Sequence, residues 1–319
     1  MKSGFPIELP KSILGKELQP NLEDLKEIPK SYVLVTTTMY PSRDGKRAQD
    51  VELRAGLALR SAREARAIGF RLVVVDGGSD PGFLKELKDL DAIVEPENIE
   101  NFPGAHPMGR SRRQAMSIAG NQTGYKGIIW LEPEKHPFVC VPFTQNPYES
   151  PAVRAASRVC DGSAQIVVPR RIDTLASYPL QQQPGELFQN FTIMNAIQHV
   201  LREQGAQPGE RAPYMDWCIG PRVISNDVLD RFLNYRGTVT GVGASKTIED
   251  RWALLFAPVW DAIVDGVKVA GVPVDYIHPE EQTWLESSSF AYDQKRCTQV
   301  EAMNKLVMGW VEEKLRKAA

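Results

Sequence analysis

The chain has 319 residues, with 38 Lys and Arg against 40 Asp and Glu; this near-balance excludes a general nucleic-acid binder, and 42% hydrophobic residues exclude a disordered chain. No apolar run approaches the ~20 residues of a membrane span, and the N-terminus lacks the apolar stretch of a secretory signal. Cys140, Cys160, Cys218 and Cys297 lack C-x-x-C spacing, so the expectation is a cytoplasmic protein with reduced thiols, of about two domains or one large α/β domain with additions.

Residues 1–30 show no clear period and read as a surface arm with one short helix near 21–28. The run Tyr32-Val-Leu-Val-Thr-Thr-Thr38, apolar and β-branched between two prolines, predicts a buried strand. A polar loop (40–47) and an Ala/Leu/Arg/Glu-rich helix (49–68) ending at Gly69 follow. Residues 70–75 predict a second strand, 83–90 a short helix, 92–94 a third strand, 109–119 a helix and 127–131 a fourth strand. Strands joined through helices pair in parallel and bind ligands at their carboxyl ends. In the second half, 164–169 is a strand ending in Arg170 and Arg171, and 186–203 is a helix. The aromatic stretch 214–222 is partly extended and leads into a helix at 225–233 capped by Ser225. A loop at 237–246 precedes a helix expected to start at Thr247 and run to about 264; 267–274 is the last strand, 281–296 a polar lid, and 299–317 a C-terminal helix.

The strand ends carry the candidate chemistry. Glu132-Pro-Glu134 follows the fourth strand, and alternate residues of extended backbone point the same way, so Glu132, Glu134 and His136 could share one side. Paired carboxylates suit Mg²⁺ or Mn²⁺; the competing reading is a solvated loop in which Lys135 neutralises one of them. Asp76-Gly-Gly-Ser follows the second strand and could hold a base or ribose hydroxyl, or be an ordinary turn; it fits neither the dinucleotide fingerprint nor a P-loop. Gly109-Arg-Ser-Arg-Arg113 crowds arginines at a helix N-terminus already partly positive. Either a bound anion, such as a diphosphate, or the acidic stretch at 95–100 would resolve that conflict. Glu249 and Asp250 are favoured by a helix dipole alone, or one of them takes a proton from an attacking hydroxyl. His278 after the last strand is structural, or approaches the same cation.

In this order the motifs resemble the GT-A glycosyltransferases, most closely the family 2 group, over roughly residues 32–280. The resemblance implies a GT-A-like α/β fold, with a mixed, mostly parallel sheet flanked by helices in a single large domain. Residues 1–30 would be an N-terminal arm, 31–136 the nucleotide-sugar half, 137–280 the acceptor half, and 281–319 the lid and C-terminal helix. Thr36, Thr37, Thr38, Tyr40, Asp76, Arg113 and Glu132 take donor-binding positions by this resemblance. Glu134, with Glu132 and His278, matches the metal positions, and Asp250 or Glu249 the catalytic base of inverting members. Asp216, Trp217 and Arg222, with Arg170, Arg171 and Trp284, are available for the acceptor.

The implied activity is transfer of a sugar from a UDP- or GDP-sugar to an acceptor hydroxyl on a small molecule, glycan or lipid-linked compound, with Mn²⁺ or Mg²⁺ and with inversion. No nucleic-acid partner is expected. Trp310 and Val311 in the last helix either touch a membrane surface or, as expected here, pack on the domain. The chain departs from the family's Asp-x-Asp, having Glu-Pro-Glu, and has Gly77 where a second Asp would stand. That departure leaves a catalytically inactive binding or scaffold protein as the alternative. A sugar nucleotidyltransferase ranks lower, because the loop after the first strand lacks a glycine pair.

Overall fold

The run Tyr32–Thr38 forms β1 at the centre of a computed structural model that describes residues 21–42, 48–102, 104–140, 146–172, 176–207, 215–241 and 246–318. Its side chains alternate between two apolar cores, Val33 and Val35 entering one, Tyr32 and Leu34 the other. The strands β2 (Arg71–Asp76), β3 (Ile93–Pro96) and β4 (Gly127–Trp130) extend the sheet in parallel, with β1 paired to both β2 and β4. β6 (Arg222–Ser225) runs antiparallel to β4 and to β5 (Ile166–Arg171), and β9 (Val269–Val274) closes the far edge parallel to β5. The order β3-β2-β1-β4-β6-β5-β9 makes a mostly parallel sheet. The chain turns to one side after β1 and returns to the other at β4, so the carboxyl ends of β1 and β4 flank a topological switch point.

Helices cover both faces. α1 (Leu22–Ser31), α2 (Gln49–Ile68), α3 (Pro81–Asp89) and α5 (Pro151–Cys160) bury apolar residues against the Leu34 face. The opposite face receives α4 (Pro107–Gly120), α6 (Gln183–Glu203), α7 (Asn226–Leu233), α8 (Ala257–Val264) and the C-terminal half of α10 (Phe290–Ala318). Local signals set most of these ends. The Asn21 side chain accepts from the Glu23 N–H to start α1, the Ser225 hydroxyl accepts from the Asp227 N–H to start α7, and Gly69 ends α2 in the left-handed region.

Several expectations are corrected. The short helix expected near 21–28 is present as α1, but it packs into the core and is not merely laid on the surface, because Leu25 and Ile28 are buried. α5 was not expected, although Ser150 as N-cap and Pro151 in the first turn announce it. No helix begins at Thr247. β7 (Thr238–Thr240) and β8 (Thr247–Glu249) form a two-stranded antiparallel ribbon, and α8 begins only at Ala257. Pro258 is the reason: its ring is tolerated in a first turn but would break a helix already under way. The predicted polar lid consists of α9 (Glu280–Ser287) and the first turns of α10. Trp310 does not face a membrane. It is 2% exposed, and its indole donates to Asp261 Oδ1 at 2.7 Å. Among the described residues no helix is long and apolar enough to cross a membrane.

Candidate active site

The carboxyl ends of β1, β2 and β4 open into a cavity of about 1120 Å³. Thr37 and Thr38 line it at the end of β1 and Tyr40 just after it, Gly77 after β2, and Glu132 to Lys135 after β4; α9 and the first turns of α10 add to the enclosure. Tyr40, Glu132 and Glu134 thus meet across strands that are neighbours only in the folded sheet.

Each glutamate of the pair has its own partner. Glu134 accepts the Tyr40 hydroxyl at 2.8 Å and lies 3.9 Å from Arg54 Nη1. Glu132 lies 3.2 Å from Lys135 Nζ. Burial opposes ionisation of Glu132, but Lys135 and Arg112 outweigh it and hold its carboxyl below the usual range. Burial likewise works against the Lys135 charge, and is overcome by Tyr178, Tyr276 and Glu132. The cavity wall therefore carries fixed charges of both signs.

The predicted ligand set of Glu132, Glu134 and His278 does not assemble. Among the described residues no three His, Cys, Asp or Glu side chains converge as metal ligands. His278 stacks on Tyr178 with ring centroids 4.2 Å apart, and its Nε2 lies 3.5 Å from Glu286 Oε2. Glu132 and Glu134 remain, two hard carboxylates on the cavity wall, and such a pair suits a divalent ion whose coordination is completed by substrate phosphates and water.

The expected base is elsewhere. Asp250 is 1% exposed and grips the fully buried Arg113 in a two-pronged ion pair, with N···O distances of 3.0 and 2.6 Å. It lies beside the start of α4, where the His106 N–H approaches it at 3.4 Å. A Cβ on Gly104 or Gly109 would come within 2.4 Å of its carboxylate, so both positions require glycine. The anion demanded by the crowded arginines is thus supplied by the chain itself, and Asp250 and Arg113 both lie outside the cavity lining. Glu249 is also outside it, because its carboxylate accepts from the Trp252 and Ala253 N–H groups and caps the following turn.

Other predicted residues, Arg170 among them, lie outside the cavity lining. Thr36 points away from the cavity toward α2 and α3. Asp76 spends its oxygens on the Thr38 hydroxyl at 2.7 Å, the Gly78 and Ser79 N–H groups and the Ser79 hydroxyl, which ties the turn to β1. In the acceptor set, Asp216 pairs with Arg171, Trp217 is in the core, and the fully buried Arg222 donates to the Pro221 and Trp217 carbonyls. Arg171 is further paired with Glu186 at 2.8 Å, and Trp284 is 68% exposed away from the cavity lining.

His136 also faces away from the glutamates. It is 6% exposed, and burial with nearby Arg60 lowers its pKa to about 4 from an ordinary 6.5. Between those two values the unfolded chain takes up a proton that the folded chain refuses, so stability falls as the pH drops through this window. The expected loss is roughly 2 kcal/mol, read as a lower urea midpoint at about pH 4.5 than at pH 7, and His136→Phe should remove that share of the slope.

Among the cavity residues that the sequence does not single out as site residues are Arg54, Glu97, Arg112, Gln282 and Glu286. Arg112 carries a legible signal. It lies four residues after Met108 on α4, and both face the cavity, whereas Arg113 shares with Gly109 a different face, toward Asp250. The Arg112 guanidinium lies 5.5 Å from the Trp130 ring and 5.6 Å from the Trp252 ring, and burial lowers its pKa to about 10. Glu97 receives the Ser111 hydroxyl, and burial followed by Asp76 raises its pKa. No local pattern marks Arg54, an unremarkable member of an Arg-rich helix.

No protein-family model matches this chain, and no curated protein matches it. Among solved structures it is similar to glucosyl-3-phosphoglycerate synthase of Mycobacterium tuberculosis, with a TM-score of 0.49 and 10% identity over 90% of this chain and 84% of that one. A structure of that enzyme with Mn²⁺, uridine diphosphate and glucosyl-3-phosphoglycerate gives a TM-score of 0.44 at 11% identity, covering 88% and 86%. Another, with Mn²⁺, UDP-glucose and phosphoglyceric acid, gives 0.45 at 10% identity, covering 88% and 85%. Likeness of this degree assigns this chain neither a substrate nor an activity.

Proposed function

We propose that this chain is a glycosyltransferase with a GT-A-like fold, moving the sugar of a UDP- or GDP-sugar onto an acceptor hydroxyl. The observation that carries the reading is the pair Glu132 and Glu134, both facing a cavity at the switch point of a mostly parallel sheet. In such a reaction the diphosphate leaves with growing negative charge, and stabilising that charge lowers the barrier. A Mn²⁺ or Mg²⁺ ion would be held by Glu132 and Glu134 with the donor's phosphates and would supply Lewis-acid stabilisation. Lys135 and Arg112 add fixed positive charge on the same wall. Thr37, Thr38 and Gly77 at the ends of β1 and β2 are available to the nucleoside. Helices α9 and α10 exclude water, which limits hydrolysis of the donor. Inversion by an Asp250 base is not part of this proposal, because that carboxylate is committed to Arg113.

The reading is tested by thermal denaturation with UDP-, GDP-, ADP- and dTDP-sugars, each with and without Mn²⁺. One donor at ~100 times its dissociation constant should add about 2.7 kcal/mol of stability, more readily with Mn²⁺. If no nucleotide sugar raises the melting temperature under either condition, the reading fails. A scaffold protein with this fold would show no donor turnover.

A further inference from the structure

Under α9 the cavity wall carries polar atoms that the protein does not pair. Glu286, Gln282 and His278 are 2%, 7% and 4% exposed, and all three line the cavity. Glu286 Oε1 accepts from Arg54 at 3.0 Å and from the Gln282 amide at 2.8 Å. Its Oε2 has only distant ion-pair neighbours, His278 Nε2 at 3.5 Å and Arg296 Nη2 at 4.0 Å, while Gln282 Oε1, His278 Nδ1 and Arg296 Nε make no hydrogen bond. Buried polar atoms are seldom left without partners, and here several face one space.

Their character defines what would satisfy them. Gln282 Oε1 needs a donor, Arg296 Nε needs an acceptor, and Glu286 Oε2, whose neighbours stand at 3.5 Å and beyond, has room for a closer donor. Burial lowers the pKa of His278 despite Glu286, which favours the neutral ring; with Nε2 turned to Glu286, Nδ1 is the nitrogen left without a partner. A phosphate only accepts, and the Glu286 carboxylate would repel it. An ammonium group only donates, and Arg54 and Arg296 would repel it. A hydroxyl both donates and accepts, and a ring carrying several of them meets the whole set.

The position says which ring. Arg54 spans the two carboxylates, 3.9 Å from Glu134 and 3.0 Å from Glu286, so the unpaired set begins one guanidinium away from the acid assigned to the diphosphate. Resting on the glycosyltransferase reading above, we infer that Glu286, Gln282 and His278 form the subsite that holds the hydroxyls of the donor's sugar. The specificity for the sugar then resides in the C-terminal lid, while the nucleotide and diphosphate are held by the strand ends.

The test is calorimetric binding of matched pairs, UDP with UDP-glucose and GDP with GDP-mannose, to the wild-type chain and to Glu286→Gln and Gln282→Ala. In the pair that the wild type binds, each variant should weaken the nucleotide sugar by about tenfold, the size expected for a lost hydrogen bond to a buried charged or amide group, and leave the bare nucleotide unchanged. Gln282→Ala leaves the Arg54–Glu286 ion pair intact and decides the matter if Glu286→Gln fails to fold. Equal weakening of nucleotide and nucleotide sugar, or no weakening of either in a variant that melts as the wild type does, overturns the subsite and leaves the glycosyltransferase reading standing. A wild-type chain that binds no member of either pair, and no other nucleotide sugar in the thermal panel, overturns both.

Discussion

Glu134→Gln should lower donor turnover by roughly 10²-fold or more while leaving the melting temperature close to wild type. The amide oxygen can still accept the Tyr40 hydroxyl, now at 2.8 Å from the carboxylate, so the local packing survives. What is lost is the negative charge that faces the cavity. A cation bridging this carboxylate and a diphosphate loses its anchor, and Arg54 loses one of its two acidic neighbours. The measurement is nucleotide release from the donor found in the thermal panel, with Mn²⁺ titrated. The expected signature is a higher Mn²⁺ requirement together with a lower maximal rate. Unchanged turnover at every Mn²⁺ concentration would reduce Glu134 to a partner of Tyr40 and Arg54.

Asp250→Ala is expected to act on stability rather than on chemistry. The substitution strands the Arg113 guanidinium, which is fully buried, without its two-pronged partner. Breaking a buried ion pair from one side costs about 3–5 kcal/mol, because a charge remains in a low-dielectric setting with nothing to balance it. The N-terminus of α4 adds to this penalty, since its own partial positive charge also faces Arg113 once Asp250 is gone. The check is a urea titration of Asp250→Ala against a double variant, Asp250→Leu with Arg113→Met. The double variant should recover much of the lost stability, because neither charge is then left alone. Wild-type stability in Asp250→Ala combined with abolished turnover would return Asp250 to the role of catalytic base.

The alternation of strand and helix in the first 130 residues was legible because each strand there is a short β-branched or apolar run bounded by turn residues. Buried parallel strands leave that trace wherever both faces are covered. Helix boundaries were legible where a cap marks them, as at Gly69 and Ser225. The stretch from Thr247 was misread because acids after a threonine look like a helix start. Pro258 held the better signal, since it puts the first turn of α8 ten residues later.

The site was legible only at its strand ends. Tyr40, Glu132 and Glu134 could be named in advance because strand ends in a parallel sheet point into one crevice, whatever the rest of the chain does. The side-chain pairings could not. Arg113 and Asp250 are 137 residues apart, and only the packing of the segment after β8 against α4 decides that they neutralise each other. Arg112 and Arg113 are adjacent in the chain yet face different surroundings, since about 100° of helical rotation separates neighbours. The lid carboxylate Glu286 meets Arg54 across 232 positions, a contact with no local signature. Periodicity and turn chemistry act over a few residues, so the sequence by itself determined the first four strands, the helices between them and the acidic strand end, but neither the strand β6 nor the helix α5. Burial and charge pairing act through space, so the tertiary structure alone decided which carboxylates face the cavity and which are spent on arginines.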